Sequence, residues 1–281
     1  PHLKRDALKG ARIGIPRANY YDRITLSGEK EPRGGLNEPQ AKSMAEAIEI
    51  LKKEGATVVD ADIPSVVNQD PKNNFLLWGG GCSKGPSDPN CSSVLWYGMK
   101  RDFNAWLASL GPAAPVKTLA ELRAFNTAHG NRNAIKYEQA NLDRSDALDL
   151  EKDRAKWQGD RDKDIRLGGT EGIDAALKAH QLDALVFPGA GSAGIAAKPG
   201  YPTVIVPFGL FVPAPPPAGP APSPTGAAAP PANPYPPGFT LQPAPYGVSF
   251  TGTACSEPRL IELAYAFEQA TRRRVPPPSA P

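Results

Sequence analysis

The first three segments constrain the fold more than any other part of the chain. ARIGIP (11–16) reads as a short buried strand, and TVVDADIP (57–64) reads as another. Between them EPQAKSMAEAIEILKKEG (38–55) carries the helical period, with Ala41, Met44, Ala45, Ile48 and Leu51 on one face and Gly55 ending it. Strand, helix and strand in that order form a βαβ unit, and a crossover helix leaves its two strands parallel. The expected class is α/β, opening with a parallel pair of strands.

The pattern is then helical from about residue 93 to 181. VLWYGMKRDFNAWLASL closes at Gly111 and Pro112, and Thr118 has the position of an N-cap over LAELRAFNTAH, with Glu121 three residues on as its capping-box partner. DRSDALDLEKDRAKWQGDRDKDIR (143–166) mixes both signs of charge densely, as a solvated helix face with i,i+4 pairs does. GIDAALKAHQ is the next helix, and it leads into a strand, DALVFP, that delivers the glycines of GAGSAG (189–194).

Fourteen of the 33 residues from Pro213 to Pro245 are proline, so this segment is expected as a surface insertion of polyproline II character rather than part of a sheet or helix. The strand YGVSFTGTA (246–254) follows. Ser256 is the expected cap of a last helix, EPRLIELAYAFEQATRR, whose Pro258 falls in the first turn where proline is tolerated. Residues 275–281 read as a flexible tail.

A chain of 281 residues, 40% hydrophobic, can bury a sizeable core in one large domain or two small ones. Its 32 basic and 29 acidic residues are interspersed apart from a short run at Arg272, Arg273 and Arg274, which is no footprint for nucleic acid. No stretch of 18 apolar residues is present, so no membrane span is expected. The chain starts at Pro1 without a methionine, which leads to the expectation that the natural N-terminus lies upstream or on another polypeptide.

Cys82 and Cys91 bracket the turn-rich loop CSKGPSDPNC, whose ends can meet as a disulfide. The alternative is two separate thiols in a reducing compartment. A bonded pair places the chain outside the cytoplasm, and free thiols place it inside.

GAGSAG satisfies the dinucleotide pattern GxGxxG, but that pattern also needs a helix facing the pyrophosphate and an acid about 20 residues on for the ribose. Ile195 to Lys198 allow a single turn, and no Asp or Glu occurs between Asp183 and Glu257. A nucleophile elbow at Ser192 fails as well, because Ala190 replaces a required glycine and all three histidines (His2, His129 and His180) precede the serine. Cys255, at the start of the last helix, is expected as a small buried apolar residue rather than a nucleophile. The histidines and cysteines lack metal-ligand spacing, so no metal or cofactor is expected.

With these stretches laid out, the chain resembles the C-terminal half of the amidase signature family, and within it the peptide amidase-like branch. The likeness runs in the family's order through LKGARIGIPR, TLAELRAFN followed by YEQ, GIDAALKAHQLDALVFP, PGYPTVIVPFG and YGVSFTGTACSEPRLIELAYAFEQ. The resemblance implies a mixed, largely parallel central sheet flanked by helices, and C–N hydrolysis of carboxamides by a lysine, a bridging serine and a nucleophilic serine, with a GGSSGG-type loop as oxyanion hole. The nearest string, GGGCSKG (79–85), has a cysteine for the first serine and follows LKGARIGIPR, whereas the family's catalytic half precedes it. No residue here therefore inherits a catalytic role.

By the same resemblance, Gly191, Ser192 and Ala193 are expected to line a substrate cleft, with Tyr20, Asn126, Tyr137 and Gln139 as further candidates. The expected partners are a complementary N-terminal half or chain and a small amide substrate, with no nucleic acid and no membrane. Half of a single-sheet fold leaves an edge and an apolar face uncovered, so an oligomer or a bound partner is expected. The rival reading is a non-catalytic ligand-binding or scaffold protein derived from an amidase.

Overall fold

The computed structural model describes residues 1–80, 91–132, 134–211 and 243–276. The strands are β1 (Arg12–Ile15), β2 (Arg23–Ile24), β3 (Arg33–Gly34), β4 (Thr57–Asp60), β5 (Ala184–Pro188), β6 (Thr203–Phe211) and β7 (Ala244–Thr251). The α-helices are α1 (Glu38–Lys53), α2 (Pro64–Val67), α3 (Phe75–Gly80), α4 (Val94–Ser109), α5 (Leu119–Ala128), α6 (Ala140–Asp146), α7 (Arg154–Ile165), α8 (Asp174–His180), α9 (Ala193–Ala197) and α10 (Glu257–Thr271). Contacts divide the chain into two compact units, one of residues Pro1–Phe75 and Ile165–Pro281, the other of Leu76–Asp164.

The first unit is built on a five-stranded sheet in the order β4-β1-β5-β7-β6. β1 pairs in parallel with β4, from Arg12↔Thr57 to Ile15↔Asp60, as the βαβ reading requires, and also in parallel with β5. β7 runs antiparallel to β5 and to β6. The sheet is therefore mixed and flanked by helices, the expected class. β5 is buried along its whole length, which explains why LVF carries no alternation.

α1 starts at a full capping box that the sequence reading passed over. Asn37 Oδ1 accepts from Gln40 N at 3.0 Å, and Gln40 Oε1 accepts from Asn37 N at 3.2 Å. Its buried stripe is Met44, Ala47, Ile48 and Leu51, so Ala47 belongs to the core face while Ala41 and Ala45, expected there, are exposed. The true stripe follows the i, i+3, i+4, i+7 rows from Met44.

TVIVPFGLF forms a nine-residue strand, β6, which the sequence reading did not assign. Pro207 and Gly209 break its pattern, and the structure tolerates both because β6 is an edge strand whose register with β7 shifts between these two residues. β7 begins at Ala244 and ends at Thr251, two residues earlier and three shorter at its end than expected. Residues 213–242 of the proline-rich tract, and 277–281 of the tail, lie outside the described residues.

α10 covers one face of β6 and β7. Phe267 packs on Phe208 and Phe250 at ring-centroid distances of 5.4 and 5.7 Å, and each of the three is fully buried. Burial of such a ring contributes about 1.5–3 kcal/mol. Ser256 occupies the N-cap of α10 but does not cap with its side chain; its Oγ donates to the Thr253 carbonyl at 2.7 Å. Cys255 is exposed with φ +60°, which overturns the expectation of a buried residue, since the tight turn into the helix swings the side chain outward.

The N-terminal segment is tied to α10 by charge. Glu262 accepts from Lys4 Nζ at 2.7 Å, His2 Nδ1 lies 3.3 Å from it, and Arg259 reaches both Glu262 and Asp183. Asp183 in turn accepts from the backbone N–H of Arg12 at 2.7 Å.

The second unit is helical. Cys91, Trp96, Tyr97 and Leu148 form its buried cluster, with Leu150 and Trp157 packed around them. Tyr97 stacks on Trp157 at 5.1 Å. Thr118 Oγ1 accepts from Glu121 N at 3.1 Å as expected, while Glu121 Oε2 accepts from Lys117 N at 2.6 Å rather than from the cap residue itself.

The charge-dense stretch is not a uniformly solvated face. Asp160 and Asp164 are buried. Asp164 accepts from Trp78 Nε1 at 2.7 Å and Ser92 Oγ at 2.8 Å. Asp160 accepts from Ser93 N at 2.8 Å, Ser93 Oγ at 2.7 Å and Lys156 Nζ at 2.6 Å. Buried carboxylates are tolerated where several donors replace water, and here Ser92 and Ser93 at the start of α4 supply them together with Trp78 of α3 and Lys156 of α7.

Candidate functional site

β5 ends in Pro188, and the glycine stretch leaves the sheet there. Gly189 takes φ +54°, its N–H donates to the Gly247 carbonyl at 2.8 Å, and its own carbonyl accepts from Ser249 Oγ at 2.5 Å. Gly191 N then donates back to the Pro188 carbonyl at 2.9 Å, which closes a tight turn. β7 therefore clamps the beginning of the loop.

Two tyrosine rings border this turn. A Cβ on Gly189 would lie 3.3 Å from Tyr246 Cε2, and one on Gly191 would lie 3.6 Å from Tyr20 Cδ1 and 2.9 Å from the Pro188 carbonyl oxygen. Glycine is favoured at 189 by its positive φ and the nearby ring, and at 191 because the Pro188 carbonyl stands where a side chain would. Tyr20 sits edge-on against Phe187 at 4.8 Å, and Tyr246 sits edge-on against Phe211 at 4.7 Å.

An open cavity of about 480 Å³ lies over the turn. Its walls include Asn19, Tyr20, Leu36, Gln40, Gly191 and Tyr246. Burial raises the phenols of Tyr20 and Tyr21, and Tyr21 donates to the Val186 carbonyl at 2.9 Å. Burial likewise pushes Tyr246 up to about 12, and its hydroxyl is buried without a hydrogen-bond partner.

Of the residues expected to line a cleft, Tyr20 and Gly191 are brought together at this cavity. Ala193 is exposed at the start of α9 and is not among the lining residues. Ser192 is fully buried and also outside the lining; its Oγ lies 3.4 Å from Thr203 Oγ1, which lies 3.0 Å from Thr251 Oγ1. That chain of hydroxyls joins the loop to β6 and β7 and occupies the serine structurally.

Asn126, Tyr137 and Gln139 belong to the second unit. There Asn126 Nδ2 donates to Gln139 Oε1 at 3.3 Å, and Gln139 borders a shallow depression with Arg123 and Thr127. Tyr137 is 87% exposed. Cys82 lies outside the described residues, and Cys91 is buried.

Tyr246, Asn19, Leu36 and Gln40 were not singled out from the sequence. Tyr246 meets Gly189 because β7 pairs with β5 across some sixty residues of chain, with Pro188 opposite Val248. No local pattern reveals that register. Among the described residues no group of three or more His, Cys, Asp or Glu could hold a metal ion, and no helix is long and apolar enough to cross a membrane. α9, with five residues, offers the loop one short helical turn rather than a dinucleotide helix.

No protein-family model matches the chain. A probable amidase of Arabidopsis thaliana is 28% identical over 276 residues, covering 97% of this chain and 44% of the relative. The crystal structure of a native peptide amidase from Stenotrophomonas maltophilia superposes with a TM-score of 0.68 at 30% identity, covering 98% of this chain and 46% of that one. An amidase family protein from Bacillus anthracis shares the fold, with a TM-score of 0.63 at 21% identity, covering 98% of this chain and 41% of that one. These relatives and structural neighbours are amidases, and the chain spans less than half the length of each.

Proposed function

We propose that this chain is the C-terminal portion of an amidase-like C–N hydrolase acting on linear carboxamides. It supplies scaffold and cleft wall, while the lysine and two serines of the reaction come from a complementary N-terminal portion. The observation that carries this reading is the match of 98% of the chain, at a TM-score of 0.68 and 30% identity, to a peptide amidase of which it spans 46%. The glycine turn with Tyr20 and Gly191 is the part of the wall that faces substrate. Chemically its task is to position the amide and keep water from it, and positioning of this kind contributes strongly to rate.

The partner follows from the same reading. Among the described residues β6 ends the sheet, and its Ile205 and Leu210 are 52% and 55% exposed. An edge strand with exposed apolar side chains invites a further strand or a second copy. Ile205→Lys is accordingly expected to reduce self-association of the isolated chain in sedimentation velocity.

Ammonia release from an N-acetylated amino-acid amide tests the function. The chain is assayed by itself and co-expressed with the segment of the Stenotrophomonas peptide amidase that it does not span. Activity in the pair, lost on treatment with a serine-directed reagent, is the expected outcome. Full activity of the isolated chain contradicts the division of labour, and a stable but inactive pair contradicts the hydrolase reading.

A further inference from the structure

We infer that the cavity at the glycine turn holds the uncharged, ring-bearing acyl side of a carboxamide ligand and rejects carboxylate and ammonium groups there. The inference rests on the amidase reading above for the ligand's being an amide. It adds which part of that ligand sits here and what charge that part carries.

The lining is the argument. None of the residues around the cavity, which are Asn19, Tyr20, Gly35, Leu36, Gln40, Pro188 to Gly191, Pro245 and Tyr246, carries a formal charge at neutral pH. Arg23 packs its aliphatic stem at Gly35, but its guanidinium donates to the Pro32 carbonyl at 2.6 Å. A carboxylate in this open space gives up part of its water and meets no cation, and an ammonium meets no anion, so either is held less well than a neutral group.

A neutral amide pays far less, and it finds partners. Asn19 and Gln40 are carboxamides that can both donate and accept, and Gln40 commits its Oε1 to Asn37 N, leaving its NH₂ as a donor. Tyr20, Tyr246, Pro188, Pro245 and Leu36 line the space beside these amides, so a ring meets apolar atoms among polar ones. The volume of about 480 Å³ suits a group of that size. Burial keeps both phenols protonated far above neutral pH, so no anion develops in the wall.

Three probes of one shape and different charge test this: phenylacetamide, phenylacetate and phenethylammonium, each titrated into the 281-residue chain and followed by backbone amide shifts. Phenylacetamide is expected to move Gly189, Gly191 and Tyr246, with an affinity at least about tenfold above either charged probe. Leu36→Lys is expected to raise phenylacetate relative to phenylacetamide, to at least parity between the two. Equal or tighter binding of a charged probe to the native chain overturns the inference, as does the absence of shifts at the turn. The readout needs no turnover. Selective binding by a chain whose assembled pair releases no ammonia sinks the hydrolase reading and leaves the neutral cavity standing. Ammonia release without charge selectivity does the reverse.

Discussion

Gly189 runs directly beneath Tyr246, so close that a Cβ on the glycine would stand 3.3 Å from the ring. The same residue holds φ +54°, where an L side chain costs about 1–2 kcal/mol. Gly189→Ala is therefore expected to destabilise the fold by about 2 kcal/mol in a denaturant titration and to displace the ring. Gly194→Ala is the control, since nothing lies within 4 Å of its Cβ position and it sits in α9; it is expected to be neutral or mildly stabilising. Equal costs at the two positions would count against a clamped turn.

Acid sensitivity is expected to centre on Glu262. Hydrogen bonds from Lys4, then His2, and further from Arg259, hold its carboxyl at about 2, below the ordinary 4.5. A carboxylate depressed in the folded state contributes stability above its unfolded pKa and loses it as pH falls through the folded one. That contribution is present above about 4.5 and fades toward pH 2. Glu262→Gln should flatten this limb of the stability profile, and a limb of unchanged slope would show that other groups set it.

The buried carboxylate of Asp164 offers a probe of the second unit. Asp164→Leu strands Trp78 Nε1 and Ser92 Oγ without their acceptor, at an expected cost of about 3 kcal/mol. Asp164→Asn keeps one acceptor oxygen and is expected to cost about half of that. All four tryptophans (Trp78, Trp96, Trp106 and Trp157) lie within Leu76–Asp164, so tryptophan fluorescence reports this unit specifically. An unchanged fluorescence midpoint in Asp164→Leu would refute the role.

Thiol counting addresses the pairing of Cys82 with Cys91 that the loop CSKGPSDPNC suggests. Protein isolated under oxidising conditions, then unfolded without reductant, is expected to alkylate at Cys255, which is exposed in the native chain. Reduction should release two further thiols. Three thiols before reduction would rule the bond out and would favour a reducing compartment.

The βαβ opening was legible because its period changes from strand to helix and back within one stretch, and Thr118 was legible because an N-cap is a local device. What escaped depended on partners distant in sequence. Ser92, Ser93 and Trp78 turn Asp160 and Asp164 from surface charges into buried acceptors, and nothing in their own neighbourhood announces it. β6 escaped for another reason: an edge position and a shifted register absorb the proline and glycine that a central strand could not. At the cavity, the glycine turn and Tyr20 could be read, and Tyr246 could not. Ser192 was expected at the cleft by the family resemblance, whereas in this structure it is buried with its hydroxyl beside those of Thr203 and Thr251.

The absence of formal charge around the glycine turn has a kinetic corollary. Binding of a neutral ligand at such a wall should be indifferent to ionic strength and to pH from mildly acidic to alkaline conditions. In an assembled enzyme, any salt dependence would then report how the two portions associate. Any inflection in a pH–rate profile would report ionisations outside this wall, and the cavity would serve as a constant background against which those steps can be resolved.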